Sequence, residues 1–99
     1  MKREIFNRYV EAIASNFNID EDDLFTVDID YKVAKPRQML YYLCMKRNMT
    51  STEVAKYMRD NGANTRHSSV LRGRDRMSSI IENDRDYYLL EKRIAKCID

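Results

Sequence analysis

Apolar residues recur at helical spacing along almost the whole of this chain, and little interrupts them. Ile5, Phe6, Tyr9, Ile13 and Phe17 fall on one face of a helix over residues 3–17. Met39, Leu40, Leu43 and Cys44 make a second stripe. Val54, Ala55 and Met58 make a third over 51–59, and Val70, Met77, Ile80 and Ile81 a fourth over 66–81. Tyr87, Leu90, Ile94 and Ile98 make the last, on a helix over 84–97. Two glycines and one proline in 99 residues are too little punctuation for a multi-stranded fold. The expectation is an all-α chain: one domain over residues 1–99, a compact bundle of five or six helices with a modest core.

Local signals place the ends. Asp20 can cap a short turn over Glu21–Phe25, with Leu24 and Phe25 facing inward. Residues 26–32 alternate through Val27, Asp28, Ile29, Asp30 and Tyr31 but have no partner strand, so they read as a packed loop. The next helix is expected from Ala34 or Lys35 to about Asn48. Pro36 then falls in its first turn, where an amide has no intrahelical acceptor. Thr50-Ser51-Thr52-Glu53 is a capping box. Asn61-Gly62 stops the helix that follows, and Thr65 is the expected cap of the helix from Arg66. Asp84 and Asp86 suit the start of the last helix, and Lys92, Arg93 and Lys96 its end.

Charge is uneven. Residues 1–32 carry four Lys/Arg against eight Asp/Glu, residues 33–81 ten against three, and residues 82–99 four against five. A basic block in a chain of net charge +2 is the footprint of a polyanion-binding face. Two motifs lie inside it. Thr65-Arg66-His67-Ser68-Ser69-Val70-Leu71-Arg72 puts cationic and short polar groups on the first turn of a helix that follows another closely, the order of a helix-turn-helix over about 50–81. Arg66 can pair bidentately with guanine, and His67, Ser68 and Ser69 can hydrogen-bond base edges. Arg72 and Arg76, four apart, can meet phosphates. In Val33-Ala34-Lys35-Pro36-Arg37-Gln38, the residues Lys35, Arg37 and Gln38 sit at a helix start, where free amides and the dipole attract phosphate.

These two motifs resemble those of the C-terminal DNA-binding domain of the bacterial replication initiator DnaA. Asn18-Ile19 through Val33-Ala34-Lys35-Pro36-Arg37-Gln38-Met39 lies on that family's pattern without a gap. Thr65 to Leu71 is similar to its signature Gly-Arg-Asp-His-Thr-Thr-Val-Leu, and the resemblance spans roughly residues 5–81. It implies a helical bundle around a helix-turn-helix that binds short double-stranded sites. His67, Ser68 and Ser69 would then read bases in the major groove, and Arg37 and Gln38 would hold phosphates. Four departures stand out. Arg66 replaces an acidic residue and Thr65 an arginine. Two serines replace threonines, losing methyls that can meet thymine. The segment Arg59 to Asn64 is about four residues longer. The family's basic minor-groove loop corresponds to Thr26–Lys32, which carries Asp28 and Asp30.

The expected function is a stand-alone, sequence-preferring reader of double-stranded DNA in replication or transcription control. The alternative is a protein-interaction module that keeps the fold without specific DNA binding, which the altered signature and acidic residues 20–30 favour. A protein of the replication machinery is a further partner to consider. No GxxxxGK[ST] loop is present, so no nucleotide is expected. The carboxylates Asp20, Glu21, Asp22 and Asp23 fit a solvated helix start better than catalysis, and no nucleophile–base pair is visible, so no enzyme is expected. One histidine with Cys44 and Cys97 far apart makes no metal site, and both thiols read as reduced. No cofactor is expected. RNA readers more often expose an aromatic platform, whereas Tyr9, Tyr41, Tyr57 and Tyr87 fall at core or half-buried positions. No run reaches membrane-spanning length or resembles a signal sequence, so no membrane partner and a cytoplasmic location are expected.

Overall fold

A computed structural model describes residues 1–26 and 31–98. Among these it contains five α-helices, one 3₁₀ turn and no strand: α1 (Lys2–Phe17), the 3₁₀ turn (Glu21–Phe25), α2 (Tyr31–Lys46), α3 (Ser51–Asp60), α4 (His67–Asn83) and α5 (Arg85–Lys96). The all-α expectation holds, and each helical stripe faces a common core. Phe6, Ile13, Leu24, Met39, Leu40, Val54, Met58, Val70, Met77 and Ile94 are all fully buried. Each such side chain contributes about 1.5–3 kcal/mol relative to exposure. The central member is α2, which packs against all four other helices and the 3₁₀ turn.

The helix ends show how the chain turns so sharply with so little glycine. At the end of α1 the amide of Ile19 donates to the carbonyl of Ala14 and that of Asn18 to Ser15. The amides of Met49 and Asn48 donate to Cys44 and Met45, and those of Ala63 and Gly62 to Met58 and Arg59. All three are Schellman closures, which need one residue in the left-handed region. Asn18 (φ 56°), Asn48 (φ 68°) and Gly62 (φ 100°) supply it. Only Gly62 was expected in this role. At the start of α3 the Thr50 hydroxyl accepts from the amide of Glu53 at 3.1 Å, and the Glu53 carboxylate accepts from the amide of Thr50 at 2.9 Å, as the motif requires.

Two boundaries differ from expectation. Helix α2 begins at Tyr31 rather than at Ala34 or Lys35, so Pro36 lies inside it and removes one helical hydrogen bond. Burial offsets the loss, for Pro36 itself is buried. Of the expected 26–32 loop, residues 27–30 lie outside the described residues and Tyr31 and Lys32 are helical. Thr65 is not the cap of α4. It is buried, Arg66 holds the cap position, and no side chain caps that helix. At α5, Asp84 is the cap, accepting from the amides of Asp86 and Tyr87.

Helices α2 and α4 approach each other closely at Gly73. A Cβ added at the buried Gly73 would stand 2.6 Å from Cδ2 and 3.2 Å from Cε2 of Tyr41. Gly73→Ala is expected to destabilise the protein in urea unfolding. Overpacking costs about 1–3 kcal/mol, against roughly 1 kcal/mol gained in helix propensity. Introduced together with Tyr41→Leu, the same change should become neutral or stabilising. An equal loss in both backgrounds would show that the ring is not what excludes the methyl.

Salt bridges join α1 to α3: Lys2 to Glu53 at 3.0 Å and Arg3 to Asp60 at 2.8 Å, with Lys56 also on Asp60 at 3.0 Å. The Thr50 amide and then Lys2 hold the Glu53 carboxyl below its ordinary value, and Arg3 and then Lys56 do so for Asp60. A folded-state pKa below the unfolded one stabilises the fold above the ordinary carboxylate range and is lost as pH falls through the depressed value. Stability should therefore decline as pH drops below about 4, and Asp60→Asn should make that decline shallower in thermal unfolding followed across pH.

Candidate nucleic-acid interface

Two helix faces with the same spacing meet in one groove. From α2 come Ala34, Arg37, Gln38 and Tyr41; from α4 come Ser69, Arg72, Gly73 and Arg76. Both sets run i, i+3, i+4, i+7, which is a single stripe on an α-helix. Asn64 and Thr65, from the segment joining α3 to α4, close one end, and the groove encloses about 360 Å³. Residues from both sequence motifs, some thirty positions apart, are thus brought onto one surface. Gly73 makes this geometry available, since a side chain there would push α2 away.

The groove is cationic for a reason visible in the ion pairs. The basic stretch over residues 33–81 holds three carboxylates, and all are engaged elsewhere. Glu53 pairs with Lys2, Asp60 with Arg3 and Lys56, and Asp75 with Arg74 at 2.7 Å. Arg72 meets only the Ser69 hydroxyl, at a long 3.4 Å, and Arg76 makes no hydrogen bond or ion pair among the described residues. Tyr41 lies on the groove floor, 6% exposed. Burial raises its phenol pKa, with the Arg37 charge and the Thr65 side chain pulling it partly back, so the hydroxyl stays protonated at neutral pH.

Not every expected site residue joins the groove. Of the candidate base readers, Ser69 lines it and is half-buried; Ser68 is half-buried but does not line it; Arg66 and His67 are exposed at the uncapped start of α4. Of the candidate phosphate ligands, Gln38, Arg72 and Arg76 line it. Lys35 is exposed beside it, its ammonium 5.3 Å from the centre of the Tyr87 ring, bordering an adjoining depression of about 450 Å³ that shares Gln38 and Arg76. Arg37 lines the groove, but its guanidinium is partly engaged. Nε donates to the carbonyl of Leu24 at 2.8 Å and Nη2 to that of Thr26, so Arg37 also caps the 3₁₀ turn.

Tyr41, Asn64 and Gly73 were not singled out from sequence. Tyr41 and Gly73 continue the stripes that hold Gln38 and Ser69, so extending each motif by one helical turn would have found both. No helix among the described residues is long and apolar enough to cross a membrane, and no group of three or more metal-ligating side chains occurs among them. Both cysteines are free. Burial pushes the Cys44 thiol well above its usual value, while Cys97 is exposed at the end of α5.

No family model matches the chain, and no solved structure matches it. Among curated proteins, it is 28% identical over 76 residues to the chromosomal replication initiator protein DnaA of Lachnoclostridium phytofermentans. That match covers 76% of this chain and 16% of the relative, so the chain spans about a sixth of that protein's length.

Proposed function

We propose that this chain is a double-stranded DNA-binding module in which α3 and α4 form a helix-turn-helix. In this reading α4 is the recognition helix, in a single domain over residues 1–99. The observation that carries the reading is the convergence of Gln38, Ser69, Arg72 and Arg76 on one groove beside the exposed start of α4, with every carboxylate of the basic segment paired off. The match to DnaA supports it, since the relative is named as a replication initiator. Arg66, His67, Ser68 and Ser69 read base edges in the major groove. Lys35, Gln38, Arg72 and Arg76 hold phosphates, and Arg37 contributes through the part of its guanidinium not given to Leu24 and Thr26. The biological role is control of replication or transcription.

Selection of duplexes from a random library, followed by binding at several salt concentrations, tests this. Affinity should fall steeply with salt, with a log–log slope of about −0.9 per phosphate contact. Gln38→Ala, Arg72→Ala and Arg76→Ala should weaken preferred and random duplexes by similar factors, because phosphates carry no sequence information. Arg66→Ala, His67→Ala and Ser69→Ala should cost about 1–3 kcal/mol at the preferred site and less elsewhere. A flat salt response, or no binding at low salt, would favour a protein-interaction module with this fold.

A further inference from the structure

The segment between α3 and α4, about four residues longer than the resemblance leads one to expect, is a folded element rather than slack. Ala63 and Thr65 are buried, at 3% and 7% exposure. The amide of Thr65 donates to the carbonyl of Ala63 at 2.9 Å. Arg59 holds both ends of the segment. Its backbone carbonyl accepts from the amide of Gly62 at 2.9 Å, and its Nη1 donates to the carbonyl of Thr65 at 2.8 Å. The next residue, Arg66, caps α4, and its carbonyl accepts from the amides of Ser69 and Val70. No side-chain cap fixes that helix start, so the segment before it, together with the burial of Val70, sets where it stands.

We infer that Arg59 is a positioning residue for DNA recognition: its clasp on Thr65 sets where Arg66 to Ser69 stand, and it contacts neither base nor phosphate. The inference rests on the DNA-binding reading. A charge-assisted bond to a carbonyl is stronger than a neutral one, and the Arg59 guanidinium reaches the far end of the segment at Thr65. Lysine carries the same charge on a flexible stem, so it should restore the clasp only in part. Arginine therefore acts here by reach and geometry, whereas at Arg72 and Arg76 the groove presents charge.

The test compares wild type, Arg59→Ala and Arg59→Lys, each shown to be folded by circular dichroism. Two readouts are needed: amide exchange at Thr65, Ser69 and Val70, and affinity for a random duplex and for the duplex that wild type enriches from a random library. Arg59→Ala should speed exchange at those amides. It should lower the preferred-to-random affinity ratio about tenfold, the scale of one misplaced base contact, and leave the salt slope unchanged. Arg59→Lys should fall between. If instead both duplexes weaken equally and the slope becomes shallower by about 0.9, Arg59 is a phosphate ligand and the inference is wrong. An unchanged exchange pattern, an unchanged ratio, or a ratio that holds while only thermal stability falls also overturns it. If wild type enriches no duplex, the DNA-binding reading itself fails and this inference fails with it. If wild type selects a site, and Arg66→Ala alters selection but Arg59→Ala does not, only this inference fails.

Discussion

The approach of α2 to α4 is the constraint on which both the core and the candidate site depend. It is possible because Gly73 has no side chain where the Tyr41 ring lies. Glycine inside a helix costs about 1 kcal/mol relative to alanine, and here it is accepted for proximity. One consequence is packing: α2 touches every other element, so bringing α4 close joins it to the core. The other is the groove. The same stripes that meet at Tyr41 and Gly73 carry Gln38, Ser69, Arg72 and Arg76 at neighbouring helical positions. The surface proposed to meet DNA is thus the margin of the helix pair that Gly73 allows to close on Tyr41.

Charge placement follows a second logic. Exposed ion pairs contribute little to stability one by one. Their effect here is on what remains unpaired. Lys2 and Arg3, from an otherwise acidic N-terminal stretch, lie against Glu53 and Asp60 of α3. Arg72 and Arg76 have no carboxylate partner among the described residues. A basic segment that kept its own acids beside the groove would present a mixed face. Pairing two of the three acids with Lys2 and Arg3 helps convert a modest net charge into a local one, which is the quantity that attracts a polyanion.

Much of the fold was legible because helical periodicity is local and repeats. The Thr50 capping box and the Gly62 stop were legible for the same reason, since each is a short motif whose partners lie within a few residues. Some of what was missed needed distant partners, and some was local but ambiguous. Thr65 has the chemistry of a cap, but the packing around Tyr41 buries it instead. The helical start of α2 at Tyr31 runs through Pro36, which a local rule places in the first turn. Asn18 and Asn48 stop helices as glycine would, and asparagine is ambiguous until its backbone is seen. Glu91 is 1% exposed, with Lys46 and Lys92 on one carboxylate oxygen and no partner for the other among the described residues. Nothing local in the sequence marks it as buried.

The candidate site was legible in its charge but not in the division of labour among its arginines. Arg37, Arg59, Arg66, Arg72 and Arg76 all belong to the basic stretch, and composition treats them alike. The structure separates them by acceptor. Arg37 and Arg59 donate to backbone carbonyls at the ends of non-helical segments, the 3₁₀ turn and the α3–α4 connection. Carbonyls at such ends lack the next turn of a helix to satisfy them, and a guanidinium can reach several from one side chain. Arg72 and Arg76 sit on α4, where the backbone satisfies itself and leaves the side chains outward-facing, and Arg66 is exposed at the cap position before it. Arg37 and Arg59 also sit on regular helices, α2 and α3, but irregular backbone lies within their reach and draws them into structure, whereas Arg72 and Arg76 bond no backbone carbonyl among the described residues. The division is thus set by which acceptors lie within reach of each guanidinium, a matter of tertiary structure that composition does not carry.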